Sequence, residues 1–347
     1  MNEVDYIVVG LGVAGISFCE QLRKHGKRFV VYDPGRETAT NIAGGVVNPV
    51  VLKRFTPVWN VHQFLPLAYP FYKGIADTLE TPCIEKTLLY RIFSNAEEQN
   101  NWMVASDSLR LAPYLSSEII ENTNTAIEAP FGFGSVKEVF RIDTPVMSKA
   151  YREALARDEI LISESFEHDH LRDQGTFFQY KTYKAHKIVF AEGAGAVRNP
   201  FFRVDCLIPK KGEYIWVKAP QWRLKGILKG SVFVIPQGND HYKVGATFDH
   251  HGKEATITQQ GREQLESALR KIMNRPFEVV DQVVGMRPTV KDRRPLLGSL
   301  DHDRMFFYNG LGTRGLMMAP LLSKLLYEFA ENRRPLANDI DIQRFAE

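Results

Sequence analysis

The chain begins with a short apolar run, VDYIVV at 4–9, that breaks into glycines. Such a run bounded by turn residues predicts a buried parallel strand. A helix is predicted to open at Gly15, with Ile16, Cys19 and Leu22 on one face and Gly26 as its stop. A second strand over 28–32 ends at Asp33, Pro34 and Gly35, so the segment reads as a βαβ unit. Farther along, Ser94 and Glu97 hold the reciprocal positions of a capping box. Residues 143–157 place Pro145 in a first helical turn and repeat Met147, Tyr151, Ala154 and Leu155 at helical spacing. A strand over 160–166, alternating residues over 176–183 and an apolar strand over 187–193 follow. Between 208 and 248 the pattern changes to three antiparallel-type strands, GEYIWVKAP, SVFVIPQGND and HYKVGATF, with a turn around 237–240. A polar helix (258–273), a strand (277–287), the buried-type strand MFFY (305–308) and a helix from about 314 to 331 complete the pattern. The aromatic stretch FLPLAYPFY at 64–72 reads as core or interface packing.

Length adds one inference: 347 residues exceed what a single core sustains, so two domains are expected. The net charge of +3, from 44 basic and 41 acidic residues, offers no electrostatic case for nucleic acid. The clusters KHGKR at 24–28 and KDRR at 291–294 read as solvated surface. Cys19, Cys83 and Cys206 are scattered without a C-x-x-C pair, which fits a reducing compartment and no disulfide framework. The N-terminal residues are acidic where a leader peptide is basic, and no apolar stretch reaches about 18 residues, so a cytoplasmic protein without a membrane span is expected. Neither HDH at 168–170 nor DHH at 249–251 has a placed third ligand, so no metal site is expected. Ser231 and Ser299 lack the context of a nucleophile elbow.

The spacing G-x-G-x-x-G occurs twice, at Gly10, Gly12 and Gly15 and again at Gly310, Gly312 and Gly315. In the first loop Gly10 makes the turn after the strand, Gly12 admits a pyrophosphate and Gly15 lets helix and strand pack closely. Val13 and Ala14 supply the helix N-terminus for the phosphates, and Asp33, followed by Pro34, offers a carboxylate to a ribose. The second loop also joins a strand to a helix, but no acid-bearing strand follows it. It retains a helix N-terminus suited to an anionic or electron-rich ring. One elongated cofactor with phosphates at the first loop and a redox ring at the second accounts for both, and FAD has that shape.

Four separated motifs resemble the FAD-dependent D-amino-acid oxidase and glycine oxidase family. They are GLGVAG with Asp33, TATNIAGGVVNP (38–49), GMRPTVKDRRPLLG (285–298) and NGLGTRGLMMAP (309–320). A fainter match is KIVFAEGAGA (187–196). The resemblance implies an α/β fold, a Rossmann-like FAD-binding domain with an inserted antiparallel-sheet substrate domain. Residues 1–75, 141–200 and 295–347 would form the former, and 76–140 and 201–294 the latter. It makes Thr40 a phosphate contact, runs Gly44, Gly45 and Val46 along the flavin and puts Asn48 near its reactive side. Glu192 and Gly193 would sit beside the adenosine half or the phosphates, and Gly312, Thr313, Arg314, Gly315 and Leu316 would meet the pyrimidine edge. The flavin would be noncovalent, because no cysteine lies in the motifs that anchor it in related sarcosine oxidases. Arg287, within GMRP, matches the arginine that grips a substrate carboxylate. The family tyrosine expected two residues before Ile235-Pro236 is Phe233, leaving Tyr214 or Tyr242 as replacements.

The resemblance implies oxidation of the carbon–nitrogen bond of a small amino acid or secondary amine. Two alternatives stand beside it: a tRNA-modifying oxidase acting on an aminomethyl-uridine, and a flavin-binding protein without turnover.

Overall fold

The computed structural model describes residues 1–202, 205–249, 252, 254–300 and 302–346. Two large sheets organise it. In the first, strand Asn2–Val9 pairs in parallel with Phe29–Tyr32 on one side and Tyr183–Phe190 on the other. Tyr183–Phe190 also pairs in parallel with Met305–Asn309. Tyr32, Val9, Phe190 and Phe307 therefore form one row at the carboxyl ends of four parallel strands. Alternation along the first strand buries both faces. Tyr6 and Val8 meet helices Val13–Lys24, Val61–Thr78 and Gly315–Asn332 through Phe18, Phe64 and Leu322. Ile7 and Val9 meet Phe190, Phe202 and Phe307 on the far side.

The second sheet has eight strands, in the order Glu278–Val290, Leu207–Lys218, His241–Gly245, Phe233–Gly238, Ile227–Lys229, Leu89–Ile92, Phe133–Val136 and Leu115–Ile120. One face is covered by helix Gln259–Arg270, whose Leu265 and Leu269 pack on Ile215, Val217, Val234 and Val244. The other face turns Tyr214, Phe233 and Arg287 toward the strand ends of the first sheet. The βαβ start, the Asp143-capped helix Thr144–Arg157 with Pro145 in its first turn and the antiparallel strands after 207 stand as the pattern predicts.

Three local expectations change. The first helix begins at Val13 rather than Gly15, because Gly12 is its extended cap and the Val13 amide is already met by the Thr40 hydroxyl. The capping box is displaced by one residue: Asn95 Oδ1 accepts from the Glu98 amide, and the Glu98 carboxylate accepts from the Ser94 amide. The strand at 160–166 contracts to Leu161–Ile162, since the chain turns where the Glu164 amide bonds the Ile162 carbonyl. The aromatic stretch at 64–72 is core, as its composition suggests, but it lies within helix Val61–Thr78. Pro66 and Pro70 disguise that helix; both sit on its exposed side, where the carbonyls they leave unpaired reach water.

Candidate active site

A cavity of about 1240 Å³ lies between the carboxyl ends of the first sheet and the face of the second. That is the usual ligand position in an open parallel sheet. Drug-sized ligands occupy about 300–1,000 Å³, so there is space for a larger group as well as a small substrate. Every residue singled out above for cofactor or substrate lines this cavity except Gly15, which lies behind the wall, Gly310 and Tyr242.

Gly15 is buried because a Cβ there would stand 2.0 Å from the Gly10 carbonyl oxygen. The helix can approach the turn only without a side chain. Asp33 braces the same turn: Oδ2 accepts from the Leu11 amide at 2.7 Å, and Oδ1 accepts from the Gly35 amide and the Arg152 guanidinium. The amides of Gly12 and Ala14 have no acceptor among the described residues and belong to the cavity wall. They are donors ready for an anion at a helix N-terminus.

The second loop presents the start of helix Gly315–Asn332, with Arg314 as its cap residue. Arg314 has no acid partner among the described residues. Its guanidinium donates to the carbonyls of Asn48, at 3.1 Å, and Val50, at 3.5 Å, and burial lowers its pKa to about 10. Asn48 Oδ1 is engaged locally by the Val50 amide at 3.2 Å. Beside these, Lys243 donates to the Ala43 carbonyl at 3.2 Å, just before Gly44, Gly45 and Val46. Burial pushes that amine down to about 8.

Glu192 is held from both sides, by His168 Nε2 at 3.0 Å and by Asn199 Nδ2 at 2.6 Å. The Gly193 carbonyl accepts from Asn309 Nδ2 at 2.8 Å, which ties this turn to the second glycine loop. His168 is thus a wall residue bonded to Glu192; His250 and His251 of the other histidine pair lie outside the described residues.

In the roof, Arg287 lies across Gly212, where a Cβ would stand 2.1 Å from Nη2. Its guanidinium donates to the carbonyls of Lys211 and Thr247 at 3.3–3.4 Å, and no carboxylate pairs with it among the described residues. Tyr214 lines the cavity, whereas Tyr242 faces Trp222 on the opposite side of the sheet. Tyr214 is therefore the tyrosine at hand near Phe233. Sequence reasoning missed Gly212, Lys229, Arg152 and the wall position of His168. Only the alternation around GEYIW, which puts Gly212 and Tyr214 on one face, carried any signal.

An acid-braced glycine turn with open amides, joined through one cavity to a second helix N-terminus, defines a flavin-dependent oxidoreductase. Residues 5–329 match the DAO family of FAD dependent oxidoreductases, and the chain belongs to that family. Its cofactor is FAD. The chain is 24% identical to a glycine oxidase of Pseudomonas aeruginosa over 95% of both sequences. Its fold is similar to that of glycine oxidase from Geobacillus kaustophilus, with a TM-score of 0.81 and 18% identity over 99% of this chain and 98% of that one. It is also similar to iminodiacetate oxidase from Chelativorans sp. BNC1, with a TM-score of 0.75 and 17% identity over 98% of both. Among the described residues no helix is long and apolar enough to cross a membrane.

Proposed function

We propose that this flavoenzyme oxidises the carbon–nitrogen bond of a small amino acid or secondary amine that carries a carboxylate. The observation that carries the reading is the Arg287 guanidinium, placed in the cavity with carbonyl oxygens around it and no carboxylate within ion-pairing distance among the described residues. A half-buried cation in that state is a receptor for an anion, and a guanidinium fork matches a carboxylate in two places. The glycine oxidases and iminodiacetate oxidase that the chain resembles bear names that fit such a substrate.

In this reading the Gly12 and Ala14 amides and Thr40 hold the phosphates noncovalently, while Asp33, with Pro34 beside it, faces the adenosine ribose and Glu192 and Gly193 complete that end. Gly44 to Val46 and Asn48 flank the ring from one side, and Gly312 to Leu316 from the other. The segments 1–75, 141–200 and 295–347 then serve the cofactor, and 76–140 and 201–294 the substrate. Bound FAD supplies an acceptor for the hydride that leaves the substrate carbon. The chain's own residues position that carbon: Arg287 fixes the carboxylate, and the walls from Tyr214 and Phe233 confine the rest. The imine left after loss of hydride and the nitrogen proton is hydrolysed by water.

Anaerobic bleaching of the flavin by amino acids, set against the matching amines without a carboxylate, tests the proposal. Acids are expected to reduce the flavin and amines to fail. Arg287→Leu should keep the flavin and cost about 2–5 kcal/mol in substrate affinity, the loss expected when a desolvated carboxylate is left unpaired. Equal reduction by amines and acids, with Arg287→Leu silent, makes the arginine structural and removes the amino acid reading.

A further inference from the structure

A second uncompensated cation shares the face that carries Arg287. Lys229 lines the cavity beside Ser231 and Phe233, and no acid lies within ion-pairing distance of it among the described residues. Its amine donates only to the carbonyls of Gly230, at 3.1 Å, and Ser231, at 3.2 Å, and lies over the Phe233 ring at 4.8 Å. Arg91 turns its guanidinium to Glu98 and to the carbonyls of Lys229 and Gly230, which uses the one nearby carboxylate. Burial, then Arg91, and more weakly Lys53, push the Lys229 amine down to about 8 against the pull of Glu98. A protonated amine so placed is under-compensated, and an anion entering the cavity would relieve it.

Sheet register places this lysine relative to Arg287. Tyr214, Gly245, Phe233 and Lys229 lie side by side in one row across four strands. At about 4.8 Å per strand, the Lys229 backbone stands roughly 14 Å from that of Tyr214. The Arg287 guanidinium rests on Gly212, two positions along the same strand from Tyr214 and on the same face. Because the Lys229 amine leans back over Phe233, the two cationic heads are on the order of 10 Å apart. A short diacid with an ion pair at each end has that reach. Phe233 cannot donate a hydrogen bond, and it lies between the two heads as an apolar floor for the carbon chain that joins the acids.

We infer that Lys229 and Arg287 form a two-point grip, and that the substrate is an amine or amino acid with a second carboxylate. This rests on Arg287 holding the first carboxylate. The test uses the holoenzyme and has two arms. In the first, perturbation of the oxidised flavin's visible band gives dissociation constants for glutarate and succinate against butyrate, none of which can be oxidised as an amine. In the second, glutamate and N-carboxymethylglycine are compared with norvaline and N-methylglycine in anaerobic bleaching. The diacids are expected to act at concentrations at least tenfold lower than the monoacids in both arms. Lys229→Met should bring the diacid-to-monoacid ratio close to one, and Lys229→Arg should keep most of it. An unchanged ratio in Lys229→Met, or equal binding of glutarate and butyrate to the parent protein, overturns the inference. If diacids bind preferentially but no amine bleaches the flavin, the two-point grip stands and the oxidation reading falls. If monoacid amines bleach it as well as diacid amines and the ratio stays at one throughout, the oxidation reading stands and the grip falls.

Discussion

In the loop at 10–15 the backbone closes on itself. The Gly10 carbonyl fills the space that a side chain at Gly15 needs, and a carboxylate, Asp33, receives the amide of Leu11. In the loop at 310–315 the space beside Gly312 is open, and a guanidinium, Arg314, donates to backbone carbonyls instead. The two loops touch, with Val13 Cγ1 3.2 Å from where a Cβ on Gly315 would stand. Identical glycine spacing thus sets two similar strand-to-helix turns, while the neighbouring charged side chain sets what each turn offers. One uses a carboxylate to brace its turn and leaves the Gly12 and Ala14 amides open to the cavity; the other uses a guanidinium to hold the carbonyls of Asn48 and Val50.

The widest gap between the loops should appear on adding one methyl group. Gly15→Ala forces a carbon into the Gly10 carbonyl and is expected to cost about 3 kcal/mol or more, with loss of bound flavin. Gly312→Ala meets open space at a φ of +54° and should cost only about 1 kcal/mol, with flavin retained. Thermal melts and flavin content decide it, and equal effects erase the distinction between a packed and an open turn. Next in size is Asp33→Asn, which keeps an acceptor for Leu11 but removes the charge. FAD affinity, read from fluorescence of flavin released on dilution, should fall by about 1.5–3 kcal/mol. Unaltered affinity means that Asp33 only braces the turn.

The smallest effect concerns the clamp that joins the two loops' supporting elements. Near the end of the helix from the second loop, Glu331 accepts from Tyr6 at 2.6 Å and from the amines of Lys27 and Lys187. Burial raises its pKa, but Lys187, Lys27 and Tyr6 outweigh that and bring it from 4.5 to about 2. The folded value lies below the unfolded one, so this contribution is complete above about pH 5. It is lost as the pH falls through 4.5 toward 2. Glu331→Gln should lower stability at pH 7 by about 1–2 kcal/mol after solvent screening and flatten the loss on acidification. Parallel melting curves for both proteins from pH 7 to pH 3 would contradict the clamp.

Much of this was legible in the sequence because it depends on local patterning. Apolar runs that end in glycine marked the parallel strands, and the two glycine loops with Asp33 marked the cavity's two ends. Arg287 was legible through its place in GMRP. The remainder depends on partners far apart in the chain. Lys229 gains meaning only because the register carries it across Phe233 and Gly245 to the Arg287 face. Gly212 looks like an ordinary strand glycine until a guanidinium is laid on it. Arg152 comes from the helix after Asp143 to reach Asp33. Capping by Asn95 rather than Ser94 is a contest between adjacent residues of similar capping strength, decided by which one the preceding strand leaves extended. Pro66 and Pro70 hid a helix because their cost depends on which side faces water.

Val9, Phe190 and Phe307 sit in one row of the sheet, so a growing chain cannot assemble the cofactor's seat in the order of its synthesis. The glycine turn at the start leaves the ribosome first, yet the strand that completes the row and the helix that closes the cavity leave last. At roughly 5–20 residues per second the interval is on the order of tens of seconds. Through it, Asn2–Val9 waits for its neighbour Tyr183–Phe190, and the edge of Tyr183–Phe190 then waits for Met305–Asn309, the condition in which nascent strands pair wrongly. The cavity wall made by residues 312–317 is therefore the last part of the site to leave the ribosome.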